Sequence, residues 1–129
     1  ARAQSNNQLK KPINSVEKLY DQQTKWRKYV NDQLKNKYKA LSGQLDGLLY
    51  LKAKDFSLLR EWRLKQERKL WLQTKNKKNL KIMSSGDVIN FMQTYQRITQ
   101  QMFKDAVKNS SVIMYLNNKH QIQKIKFKK

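Results

Sequence analysis

Cysteine is absent from the 129 residues, proline occurs once and glycine three times. Without thiols there can be no disulfide and no thiol chemistry, which excludes a secreted disulfide scaffold. The single histidine, His120, cannot build a metal site by itself. Gly43, Gly47 and Gly86 are not spaced as the G-x-x-x-x-G-K-[ST] loop that cradles nucleotide phosphates. No apolar run approaches the ~18 residues of a membrane-crossing helix, and the first residues lack the charged-then-apolar layout of a signal peptide. The expected setting is a reducing compartment, the cytoplasm, with no membrane partner. Acidic residues are also scarce: nine Asp and Glu stand against 29 Lys and Arg, a formal charge of +20. Such a chain repels itself when compact and attracts a nucleotide, a nucleic acid or an acidic surface.

What is present is a small aromatic-rich core set, with three Trp, six Tyr and four Phe in a chain that is 38% hydrophobic. The length suits one modest domain. Two tryptophans are followed at once by arginine, Trp26-Arg27 and Trp62-Arg63, each within a stretch of helical periodicity. Adjacent helical residues point about 100° apart, so the pattern predicts an indole in the core and a guanidinium at its rim.

Along the chain, Ala1 stands where a start methionine would, the expectation for a processed, cleaved or excised product. Residues 1–12 are polar and end at Pro12, which restricts its predecessor and predicts an extended arm. Asn14 and Glu17 resemble a capping box before Val16, Leu19, Tyr20, Trp26, Val30 and Leu34, and the spacing predicts a helix from about Ser15 to Leu34. A short helical stretch holds Tyr38 and Leu41. The compact run 45–51 reads as a buried strand. Asp55 caps a basic amphipathic helix with Phe56, Leu59, Trp62, Leu70 and Trp71 on its apolar side and Arg60, Arg63, Lys65 and Arg68 on others. The segment 74–81, TKNKKNLK, reads as a mobile basic loop. Ser84 or Ser85 starts a third long helix with Val88, Phe91, Met92, Tyr95, Ile98, Met102 and Val107 in one stripe. Residues 111–116 read as a strand, Asn117-Asn118 as a turn, and 121–127 as a further alternating segment.

Two buried-type strands separated by about sixty residues with long helices between them read as α/β, because a parallel pair requires a long crossover. Asp46 and Asp55 flank the first strand and serve as turn and cap rather than as an acid–base pair.

The order of residues is similar to the second half of the glycerate-kinase-like P-loop kinases, relatives of uridine kinase and phosphoribulokinase. The resemblance rests on 11–17 (KPINSVE), Trp26-Arg27-Lys28-Tyr29-Val30-Asn31, 45–51 (LDGLLYL) and 62–67 (WRLKQE). It continues through Met83-Ser84, Val88, Phe91 and Tyr95-Gln96-Arg97-Ile98-Thr99, where the family commonly shows Tyr-Glu-Arg-Leu-Thr, to 118–122 (NKHQI). It covers residues 11 to 127 in order.

The resemblance implies the helix-rich C-terminal portion of a P-loop kinase-type parallel-sheet domain, over residues 13–127. It also implies transfer of the γ-phosphoryl of ATP, with Mg²⁺, to the hydroxyl of D-glycerate or a similar small hydroxy acid. Phosphoryl transfer rests on positioning and charge neutralisation. The phosphate-cradling loop lies upstream of the matching region in the family, so this chain alone is expected to be inactive and to be a fragment, with catalytic and metal residues absent from it.

On the same resemblance, Arg63 lies where related nucleoside kinases carry lid arginines, a bidentate phosphate contact. The alternative is an ion pair with Glu67 at i, i+4. Arg60 shares that helix and is a further candidate for a phosphate contact; a solvated face is the alternative for it, as for Arg68. Arg97 could reach nucleotide or bridge a carboxylate such as Asp87 or Asp105, and Gln96 in place of the family's Glu removes a charge beside it. Arg27 and Asn31, one turn apart, could hold the carboxylate and hydroxyl of an acceptor, or simply pin their helix to its neighbours. The lysines 75, 77, 78 and 81 fall near the family's closing lid.

A different class also fits the charge: a basic RNA- or nucleic-acid-binding module, although no zinc knuckle, RNP-type pattern or Gly-rich arm is present. A non-catalytic scaffold relic is a third reading. In any half domain an internal strand edge would be left open, which predicts self-association.

Overall fold

The computed structural model describes residues 1–74 and 82–128, and within them two parallel strands lie side by side as the long crossover requires. β1 (Leu49–Lys52) pairs in parallel with β2 (Val112–Leu116), and β2 pairs antiparallel with β3 (Ile122–Phe127), giving the order β1-β2-β3. Between β1 and β2 run α5 (Phe56–Thr74) and α6 (Ser85–Asn109), packed on each other, with α6 also against β1. The expected α/β class is thus the observed one, a helix-rich chain with a small mixed sheet.

Local chemistry sets the helix ends. Asp55 Oδ1 accepts from the Leu58 N–H at 2.9 Å at the start of α5. Ser84 caps α6, with the Asp87 carboxylate reaching back to the Ser84 N–H in a capping box. At the other end of α6 the Lys128 ammonium donates to the Val107 and Lys108 carbonyls, placing a cation on the negative end of the helix. The 74–81 loop expectation falls, beyond Thr74, outside the described residues.

Three sequence expectations differ from the structure. The arm 1–12 is not extended throughout: Ser5 caps a short helix, α1 (Asn6–Lys10), whose Leu9 is buried. The helix expected over 15–34 is two helices, α2 (Ser15–Tyr20) and α3 (Lys25–Lys35), followed by α4 (Lys37–Ser42). The break lies at Thr24, whose φ of 62° is left-handed. There the Asp21 carboxylate takes the N–H groups of both Trp26 and Arg27, and so caps α3 from outside it. The first strand begins only at Leu49. The three-residue spacing of Ile122 and Ile125, at odds with strict alternation, is explained by a bulge between Tyr115 and Leu116, with Ile122 opposite Leu116 and Ile125 opposite Met114.

The core is small. Val88 and Ile113 are fully buried, with Leu9, Leu58, Ala53 and Ala106 nearly so. The expected stripe of α6 is only partly covered, since Phe91, Tyr95 and Met102 stay exposed, as do Leu70 and Trp71 on α5.

Candidate functional site

The Trp26-Arg27 pair is inverted relative to the sequence expectation: Arg27 is 5% exposed and Trp26 61%. The guanidinium goes inside because acceptors converge on it from three places. Arg27 Nε donates to Asp21 Oδ2 at 2.9 Å, Nη1 to the Leu9 carbonyl at 2.8 Å, and Nη2 to the Asp21 carbonyl at 2.7 Å. Glu17 Oε2 lies 3.6 Å from Nη1. Partial burial pushes the Asp21 carboxyl up, but the N–H groups of Trp26 and Arg27 and the Arg27 guanidinium outweigh it and hold it below its usual range.

Arg97 also meets the Glu17 carboxylate. Its Nε and Nη2 donate to Glu17 Oε1 and Oε2 at 2.7 and 2.6 Å. The remaining N–H groups go to Gln4 Oε1, the Gln8 carbonyl and the Lys11 carbonyl. All five donors of this guanidinium are therefore taken by the chain itself. Its carboxylate partner is Glu17, neither Asp87 nor Asp105. The amide of Asn31 pairs with the backbone of Gln4 in both directions, at 2.6 and 3.1 Å. Arg27, Asn31 and Arg97 thus come together around one cavity of about 180 Å³, whose apolar wall includes Val16, Val30, Leu34 and Ile98. In this geometry the three side chains bind the N-terminal arm to α2, α3 and α6.

Arg60 and Arg63 do not line that cavity. Arg60 is exposed on α5. Arg63 makes the i, i+4 ion pair with Glu67, which also accepts from the Met83 N–H at 2.9 Å. The Met83 hydrogen bond first, then Arg63, holds the Glu67 carboxyl below its usual range. Glu67 is a link between α5 and the residues that lead into α6.

A different group of residues occupies the place where open α/β sheets bind ligands, beyond the carboxyl ends of the parallel strands. A crevice of about 600 Å³ opens there between Lys52, Lys54, Tyr115, Asn117, Asn118 and Lys119. The Lys52 ammonium sits 5.3 Å from the centre of the Tyr115 ring. The Asn117 side chain accepts from the N–H groups of Lys119 and Gln121 and so shapes the β2–β3 turn. Trp62 holds this turn to α5: its indole N–H donates to the Asn118 carbonyl at 3.1 Å, and its ring packs edge-on to His120. Sequence reading singled out neither Lys52, Lys54 nor Lys119 as site residues. The available signal was that each lies at or just past the end of a predicted strand.

Among the described residues no cluster of three or more His, Asp or Glu could hold a metal ion. No helix among them is long and apolar enough to cross a membrane.

No protein-family model matches the chain and no curated protein does. A solved structure does: D-glycerate 3-kinase from Cryptococcus neoformans var. grubii serotype A superposes with a TM-score of 0.70 at 18% identity, over 98% of this chain and 46% of the kinase chain. The fold is that of part of a glycerate kinase. The matched region is the C-terminal part of the kinase, and this chain spans less than half of the kinase's length.

Proposed function

We propose that the chain is the C-terminal part of an ATP-dependent small-molecule kinase whose acceptor is D-glycerate or a similar small hydroxy acid. The observation that carries this reading is the match of nearly the whole chain, at a TM-score of 0.70, to part of a D-glycerate 3-kinase. In phosphoryl transfer the acceptor hydroxyl displaces ADP from the γ-phosphorus, and protein cations offset the charge on the phosphate oxygens. This chain would supply cations. Arg60 and Arg63 on α5, with Lys52, Lys54 and Lys119 at the strand ends, have ammonium or guanidinium groups suited to phosphate oxygens.

ATP and Mg²⁺ would bring the transferable phosphoryl group and neutralise its charge. The residues here do not fit the metal, since no acidic cluster is available among the described ones, and no Gly-rich nest is present to orient the β- and γ-phosphates. Both would come from a P-loop-bearing part of the domain. The Arg27–Glu17–Arg97 group then acts as scaffold beneath α3, and an acceptor-side role for Arg27 and Asn31 would require the arm at Gln4 to move aside.

The test is ATP consumption by the chain alone and by the chain joined to the P-loop-bearing part of its source protein. The joined protein is expected to produce ADP only when D-glycerate or a related hydroxy acid is present. Failure of the joined protein to do so with any small hydroxy acid overturns the assignment.

A further inference from the structure

The N-terminal arm is held down by hydrogen bonds more than by packing. Of residues 1–12 only Leu9 is buried. The Arg2 N–H donates to Asp105 Oδ2 and the Gln4 N–H to Asn31 Oδ1, each at 2.6 Å. Arg27 donates to the Leu9 carbonyl, and Arg97 to the carbonyls of Gln8 and Lys11. These contacts reach from α3 and α6 to the arm across the cavity of about 180 Å³, whose aliphatic wall is Leu9, Val16, Val30, Leu34 and Ile98.

The polar groups around that cavity are already satisfied. No buried side-chain nitrogen or oxygen among the described residues lacks a hydrogen-bond partner. The two inner guanidiniums, Arg27 and Arg97, are balanced by two carboxylates, Glu17 and Asp21. A polar or charged ligand would lose its hydration there and gain no free partner, whereas an apolar one gains by leaving water. Size narrows the class further. An apolar cavity of roughly 150 Å³ takes up benzene or xenon, while drug-sized ligands occupy pockets of about 300–1,000 Å³. A nucleotide is therefore too large.

We propose that the cavity beneath the arm is a binding site for a small uncharged apolar molecule, a single aromatic ring or a short aliphatic chain, and that this occupant holds the arm down. Tyr20 and Trp26, both exposed, border the cavity on its solvent side and mark the way in. The arm itself supplies Leu9 to the wall, so the ligand makes its full set of contacts only while the arm is docked. Its binding free energy then adds to the docked state. The site does not rest on the kinase reading, since neither phosphate nor hydroxy acid enters it.

The test titrates toluene into the protein with its natural flanking sequence, labelled with carbon-13 at the Val, Leu and Ile methyl groups. Saturable ring-current shifts are expected at Val16, Val30 and Ile98 and not at Val88 or Ile113, which lie outside the cavity. Benzoate, a similar ring carrying a charge, is expected to bind at least tenfold more weakly. At ten times the dissociation constant of toluene, amide exchange at Gln4 is expected to slow about tenfold. Val30→Phe, which fills part of the cavity, should weaken toluene binding at least tenfold; the benzoate comparison on the unaltered protein needs no variant to fold. The absence of a saturable shift, shifts spread equally to Val88 and Ile113, or equal affinity for benzoate overturns the site. Shifts at the cavity methyls with unchanged exchange at Gln4 overturn its hold on the arm.

Discussion

Glu17 on α2 and Arg97 on α6, eighty residues apart, are joined by two parallel hydrogen bonds of 2.7 and 2.6 Å. The same carboxylate accepts from the Ile13 N–H and lies near the Arg27 guanidinium, so one acidic side chain connects the arm, α2, α3 and α6. Its removal would strand two partly buried cations.

Arg97→Ala is accordingly expected to destabilise the chain by about 3 kcal/mol, the scale for breaking one partner out of a buried pair. Arg97→Lys should recover only a part, because an ammonium cannot form the two-pronged contact. Urea unfolding of the three proteins checks this. A loss within about 0.5 kcal/mol for Arg97→Ala would mean that the contact contributes little.

The acid dependence of stability follows from Asp21, Glu67 and Asp87, each held below its ordinary value, 3.8 for the aspartates and 4.5 for Glu67. A carboxyl depressed in the folded state contributes stability that is present above its unfolded value and is lost as pH falls through the folded one. Stability should therefore hold between pH 7 and 5 as far as these groups decide it, and decline below about 4. Asp21→Asn should make that decline shallower, as measured by unfolding free energy against pH. An unchanged slope would show that Asp21 is not depressed.

Trp62→Phe keeps the aromatic ring but removes the indole donor to the Asn118 carbonyl. The expected loss is about 1 kcal/mol, the net value of a typical hydrogen bond, with faster amide exchange at Lys119 and Gln121 in the β2–β3 turn. Unaltered exchange there would separate Trp62 from the shape of the crevice.

In the proposed kinase, with the chain joined to a P-loop-bearing part, Arg63→Ala is expected to lower kcat/KM for ATP about tenfold to a hundredfold, the range for one charge-assisted hydrogen bond to phosphate. Arg63→Lys should fall between. Equal kinetics with reduced thermal stability would instead leave Arg63 only its pairing with Glu67.

Much of the architecture is legible in the sequence because local signals agree: Asp55 and Ser84 cap α5 and α6 where the apolar period begins, and the runs at 45–51 and 111–116 have strand length, although the first strand starts only at Leu49. The break between α2 and α3 is not legible, since Thr24 takes a left-handed conformation without glycine, and α3 is capped by Asp21 from outside the usual cap position. The inside-out Trp26-Arg27 pair is hidden for a related reason. Periodicity assigns indole to the core, whereas acceptors on Leu9, Glu17 and Asp21, brought together only by folding, draw the guanidinium in. The apolar stripes on α5, α6 and the sheet are visible in sequence, but which of their residues become buried is decided by tertiary packing: Leu58, Val88 and Ile113 are covered, whereas Leu70, Phe91, Tyr95 and Leu51 stay exposed.

The proposed kinase reading is most directly tested by phosphorus NMR of the chain joined to a P-loop-bearing part, with ATP, Mg²⁺ and D-glycerate. The account predicts that ADP and a phosphomonoester of glycerate appear in equal amounts, and that neither appears with the 129-residue chain alone. ATP left intact by the joined protein, or ADP formed with free phosphate and no phosphoglycerate, would contradict it.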